Sequence, residues 1–470
     1  MSRYAAALDF GSSKVALAVG EQTPDGIRIV SYHDLPSSGI ECGEIVNDFK
    51  VEQIVRTLVQ QAEDELGDPI AEVTVGLSGR ALHSKALQCQ ITRPVPNDYI
   101  DEKEVRQITR ARYKATLDSD MTVFEAVPQK YSTEDRIGIT HEELIGMVGA
   151  QIDADFRIFY GRKSIVGRRR TILENCGLRM GKAILAPIAS ARAVLTRLEM
   201  ENGAALVDIG KNTTEVAIIK DNIVRHAAII PVGGESVTVD IKNVANITRE
   251  WAETLKVQYG RCCEEYALEN KKLILKNESE ISDGEVEVSL LVRTIEARLS
   301  EILDAVRYVI EQSGYAGKIA SGVVITGGAS HHEDLIQLAS ALLGQKVRLA
   351  APASIGPDSA EDALDVYAAT AVGLVQETLD PKLSHAIEAP EAPVQQQSAG
   401  TEEGRLFEEE EEEPAHVSAW EERKRRREEE RKNKELRKQK EREEREGRKN
   451  DEKKKQPNFF DLFFSNDDKA

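Results

Sequence analysis

Two stretches about two hundred residues apart share one pattern, and the repeat constrains the fold more than any other feature of the chain. Ala5 to Leu17 and Ala204 to Ile218 each read as an apolar strand, an Asp-x-Gly turn followed by hydroxyl side chains, and a returning apolar strand. One such turn is an ordinary hairpin. Two predict a duplicated α/β unit whose loops face each other across a cleft. Gly11 and Gly210 let the backbone approach a ligand closely. Around them, Ser12, Ser13, Lys14, Lys211, Asn212, Thr213 and Thr214 and the turn N–H groups are candidate donors to phosphate oxygens. Asp9 and Asp208 are placed to hold a phosphate-bound Mg²⁺ through its waters, the coordination this ion prefers. A third glycine turn, Gly327-Gly328-Ala329, ends the apolar run Gly322 to Thr326 and would leave a flat surface for a purine.

Apolar strand-like runs alternate with amphipathic helical stretches up to about Leu383, the pattern of α/β architecture. The charged share of 30% is concentrated beyond that point. Pro390, Pro393, the run Gln395 to Gln397 and Ser398-Ala399-Gly400 make a linker, followed by an unbroken acidic run from Glu408 to Glu413. Trp420 to Lys455 then carries 18 Lys and Arg against 12 Asp and Glu with almost no apolar residue, so it cannot bury a core. At the end of the chain Phe459, Phe460, Leu462, Phe463 and Phe464 share one broad helical face opposite Asp461 and Ser465, the pattern of a helix lying in a membrane interface. No run of ~18 apolar residues and no signal-peptide pattern is present, so attachment is expected to be peripheral. A net charge of -19 argues against a nucleic-acid partner. Five cysteines without CxxC spacing suit a reducing compartment.

The three glycine turns together resemble the phosphate and adenosine loops of the actin, Hsp70 and sugar-kinase superfamily. Ala186 to Ala191 and Tyr367 to Gly373 are similar to its connecting helices. Gly233-Gly234 resembles a further turn near the phosphates, and Glu253 and Lys256 resemble the acid and base that contact the nucleoside. Within the superfamily the chain resembles the FtsA family of bacterial cell division proteins. The resemblance is carried by Gly43 to Asp48, Val73 to Gly79, Phe124 to Tyr131 and Ile145 to Ala150.

That resemblance implies an actin-like duplicated ATPase core with ATP and Mg²⁺. Its first subdomain, 1A, would comprise residues 1–82 and 163–200, with an FtsA-type inserted subdomain at 83–162. Residues 201–243 and 312–383 would form subdomain 2A with the closing helices, and 244–311 subdomain 2B. Residues 384–456 would be a disordered acidic and then charged helical spacer, and 457–470 a membrane-targeting amphipathic helix. It further implies a filament of copies of this chain on the cytoplasmic face of the membrane at the division site. Such a filament would tether FtsZ, contact membrane lipid and recruit other division proteins through the insert. Arg110, Arg112, Arg168, Arg169 and Arg170 are expected on a solvated face or as a docking site.

Two departures point to weak or absent turnover. Lys211-Asn212 stands where the family has two more glycines, and no acid or amide flanks Ala186-Pro187 to orient an attacking water. The alternatives are a kinase of the same superfold, an Hsp70-like chaperone and a pilus-assembly relative. A kinase would need a catalytic aspartate at a sugar pocket, and a chaperone a β-sandwich after the core.

Overall fold

The computed structural model describes residues 4–115, 117–263, 271–276 and 282–385. The spacer beyond His385 and the aromatic end with Phe459, Phe460, Leu462, Phe463 and Phe464 lie outside the described residues.

Two five-stranded sheets repeat one plan. In the first, Gly26–Pro36 pairs antiparallel with Lys14–Thr23, which pairs antiparallel with Ala5–Phe10; Glu72–Leu77 and Arg179–Leu185 then follow in parallel. The second runs in the same sense through Ile223–Ile230, Thr214–Lys220, Ala204–Ile209, Val323–Thr326 and Val347–Leu349. The duplicated α/β unit expected from the two hairpins is therefore present. Each hairpin strand is apolar at nearly every position because both sheet faces are covered, which removes the usual alternation. Leu8, Leu17, Leu206 and Ile218 are fully buried.

The helices Ala186–Val194 and Ala369–Leu379 pack together at the junction of the halves. Their contact depends on a missing side chain: a Cβ on Gly373 would collide with the Ala189 carbonyl. In the second half one continuous core joins the sheet to the long helix Val288–Gln312, which buries Leu291, Ile295, Leu299, Ile302 and Val306 along one stripe.

The strands His83–Thr92, Gln151–Arg162, Met121–Ser132 and Ile137–Ile139 form a separate antiparallel sheet with its own small core around Tyr131, Leu144 and Phe156. It leans on the second half, where Gln129 Nε2 donates to the Val224 carbonyl at 2.9 Å and Arg225 Nη1 to the Gln129 carbonyl at 3.1 Å. Glu125 from this sheet is fully buried. It accepts from His385 N at 2.6 Å and Ser384 Oγ at 3.2 Å, and burial pushes its carboxyl up to about 8. Glu377 accepts from the backbone N–H groups of Lys382, Leu383 and Ser384. Two buried carboxylates thus hold the segment from which the charged spacer departs.

The arginines do not form one solvated face. Arg110 and Arg168 are exposed, but Arg169 is buried, with its guanidinium 5.4 Å from the Phe10 ring centroid. It donates to the Ile165 carbonyl at 3.0 Å and to the Gly43 carbonyl at 3.2 Å. It is an internal brace behind the first hairpin turn, which neighbouring arginines of equal charge gave no means of telling apart.

Candidate functional site

The two Asp-x-Gly turns open onto one cleft of about 890 Å³. Asp9, Gly11, Ser12, Ser13 and Lys14 line it from one side, and Asp208, Gly210, Lys211 and Thr213 from the other. Strand pairing positions them: each aspartate is the penultimate residue of its strand, so its carboxylate emerges where the sheet ends. Glycine then turns the chain. A Cβ on Gly11 would lie 2.7 Å from the Lys14 carbonyl oxygen, and one on Gly210 3.1 Å from that of Thr213, so both turns are closed over their own backbone.

Two buried carboxylates facing one another resist ionisation. Burial, then Asp208, push Asp9 up to about 6; Lys14 and Arg169 act against this. Burial raises Asp208 as well, opposed by its hydrogen bond from Ser190 Oγ at 2.9 Å. Lys14 lines the cleft, but its ammonium is engaged by Asp34 Oδ2 at 2.6 Å, by Tyr32 Oη at 2.9 Å and by the Tyr367 ring at 3.6 Å from its centroid.

A third carboxylate, which sequence reasoning passed over, joins the pair. Glu215 follows the second turn and lines the cleft, held by the Ser78 hydroxyl. Burial, then the charge of Asp208, push it up to about 8. Its Oε2 is buried with no hydrogen-bond partner. The available signal was a glutamate inside an otherwise apolar strand, Thr214 to Ile219, where a charge has no structural use.

Asn212, Thr214 and Gly233 are not among the lining residues. Thr214 is buried and donates to the Val232 carbonyl at 2.8 Å. Gly233 serves as a spacer, since a Cβ there would meet the Gly210 and Lys211 carbonyls. Gly234 does reach the cleft.

The helix Arg249–Tyr259, capped by Thr248, brings Glu253 and Lys256 to the cleft one turn apart, 2.7 Å from each other. Lys256 also donates to Thr238 Oγ1 at 2.9 Å and to the Gly234 carbonyl at 3.2 Å. Burial works to raise Glu253, but hydrogen bonds from Lys256 and Thr238 hold it below the usual glutamate range. Gly327, Gly328 and Ala329 also line the cleft. Gly327 has φ +92°, a conformation that L side chains rarely adopt. Gly328 has an open face, with only the Tyr367 Cβ within 4 Å of an added methyl.

Two α/β halves of identical strand order, with aspartate-bearing hairpins converging on one cleft, define a protein of the actin-like class. The solved PilM–PilN type IV pilus biogenesis complex shares this fold, with a TM-score of 0.57 at 16% identity over 80% of this chain and 99% of that one. Sequence adds a likeness to one group of cell division proteins. A family model described as Cell division protein FtsA matches residues 205–373. The cell division protein FtsA of Neisseria meningitidis is 29% identical over 357 residues, covering 75% of this chain and 85% of the relative. That of Bacillus subtilis is 27% identical over 373 residues, covering 78% and 82%. The chain is thus similar to cell division proteins FtsA over about three quarters of its length, and that likeness points to a cell division role.

Proposed function

We propose that this protein binds ATP with Mg²⁺ in the cleft, polymerises as an actin-like filament on the cytoplasmic face of the membrane at the division site, and there tethers the FtsZ ring. The convergence of the two aspartate hairpins on one cleft carries the nucleotide reading. The residues fit a magnesium ion, because a dication would favour the charged carboxylates against the burial that raises both Asp9 and Asp208 and against the Asp208 charge that further raises Asp9. Among the described residues no three His, Cys, Asp or Glu side chains group as a metal site. An ion held by Asp9 and Asp208 would therefore keep most of its waters. Bound there, it would neutralise charge on the phosphate oxygens. Ser12, Ser13 and Thr213 would donate to those oxygens, and Glu253 would accept from the ribose hydroxyls. The inserted subdomain, 83–162, is the contact to the next subunit and to other division proteins, and residues 457–470 are the membrane anchor.

Turnover is slow on this reading. Lys211 brings a side chain into the space that a glycine loop would leave for backbone, and Glu215, whose Oε2 has no hydrogen-bond partner, is mostly protonated at neutral pH with its titration at about 8. Phosphate release from the pure protein is expected far below the ~1–100 s⁻¹ of kinases. It should increase from pH 7 to pH 9, because an acid raised to about 8 loses its proton across that interval. Release at kinase-like rates at pH 7 would show the cleft to be a working hydrolase.

The tethering role is tested by floating liposomes of anionic lipid with FtsZ and this protein, with and without ATP. FtsZ should rise with the vesicles only when both this protein and ATP are present. FtsZ left at the bottom of the gradient in the complete mixture would sink the assignment.

A further inference from the structure

His332 lines the cleft together with Lys256, Val257 and Gly260, with its ring next to Gly260. Its Nδ1 lies 3.3 Å from the Gly260 carbonyl oxygen. A carbonyl oxygen only accepts, so Nδ1 carries the proton. Burial also holds the imidazole down to about 4, so at neutral pH the ring has one proton and Nε2 keeps a lone pair.

The ring is held where it is. A Cβ on Gly260 would stand 2.8 Å from Nδ1, so the backbone passes directly beneath the imidazole. The two loops are also tied together, because Cys262 N donates to the Glu333 carbonyl at 3.2 Å, Cys262 Sγ to the same oxygen at 3.1 Å, and Arg261 Nε pairs with Asp334 at 3.1 Å. The neighbouring cation offers nothing to a carbonyl group of a base, since the three donors of Lys256 are spent on Glu253, Thr238 and Gly234.

We infer that His332 selects adenine over guanine: its Nε2 accepts a hydrogen bond from the 6-amino group of adenine and meets the 6-oxo group of guanine lone pair to lone pair. The inference rests on the nucleotide reading of the cleft. It extends that reading from a glycine surface that accepts any purine to a polar atom that distinguishes one from the other.

The test measures affinities of the full chain for ATP, GTP and the triphosphate of unsubstituted purine riboside. The native protein should bind ATP about two- to tenfold more tightly than the purine analogue, the worth of one neutral hydrogen bond, and more than tenfold more tightly than GTP. His332→Ala should bind ATP and the analogue equally, close to the native affinity for the analogue. His332→Gln, whose amide presents either an acceptor or a donor, should bind ATP and GTP alike. Melting curves matching the native one show that both variants are folded. Equal binding of ATP and GTP by the native protein, or an ATP preference that survives both replacements, overturns the assignment and leaves the nucleotide cleft standing. Failure of the native protein to bind any of the three nucleotides overturns the cleft reading and this assignment with it.

Discussion

Gly328→Phe is expected to fold as the native protein does and to lose ATP affinity by a hundredfold or more, on the order of the ~3 kcal/mol that overpacking a filled site costs. Gly328 is exposed, its added Cβ would meet nothing closer than Tyr367 Cβ at 3.9 Å, and the residue lines the cleft. A ring there would occupy the surface proposed for adenosine without touching the core. Its neighbour provides the contrast. At Gly327 a Cβ would collide with Asp208 Oδ1 and stand 2.7 Å from the Ile209 carbonyl oxygen, on a backbone with φ +92°. Gly327→Ala should therefore lower the melting temperature, with a strain of ~1–3 kcal/mol, besides disturbing Asp208. Titration of ATP into the two variants beside their thermal melts separates the effects. Native affinity in a folded Gly328→Phe protein would mean that the nucleoside does not lie on this wall.

The double replacement Phe460→Asp and Phe463→Asp is expected to abolish flotation with anionic liposomes while leaving ATP affinity unchanged. Each phenylalanine buried in the interface contributes ~1.5–3 kcal/mol, so removing two weakens a single tail by roughly two to four orders of magnitude. The effect on a filament is larger, because attachment of many linked tails multiplies through effective concentration. Scrambling the charged segment Trp420 to Lys455 at constant composition should change little, since a tether needs only length and solubility. Flotation of the double variant equal to native, or its loss from scrambling alone, would move the contact away from the aromatic end.

The duplication was legible in the sequence because each hairpin is local: a run such as Ala5 to Asp9, a glycine turn and a returning apolar strand lie within one short stretch, and both turns carry their aspartate at the same place. The residues that such local patterns put forward, Asp9, Gly11, Asp208, Gly210 and Gly327, all line the cleft. The contrast between charged spacer and aromatic end is also a matter of local composition.

What depended on distant strands coming together could not be read this way. Glu215 is an odd residue in a strand until Ser78 and Asp208 surround it, and only that company pushes it up to about 8. Arg169 differs from Arg168 and Arg170 in nothing but the direction it takes from its helix, which puts it against Phe10 and the Gly43 carbonyl. Lys14 looks like a free phosphate ligand until Asp34 and Tyr367 close on it from elements 20 and 353 residues further along. Thr214 shares the turn motif yet misses the cleft that its neighbour Glu215 lines, because pairing directs alternate side chains to opposite faces of a strand, while Asn212 and Gly233 lie in the connecting loops. The sequence by itself therefore determined the two-halved α/β plan, the two aspartate turns that line one cleft and the separate character of the chain end. The tertiary structure alone decided which charges are buried together, and so which side chains are free to meet a ligand, because burial and electrostatic coupling are properties of neighbours that the chain order does not contain.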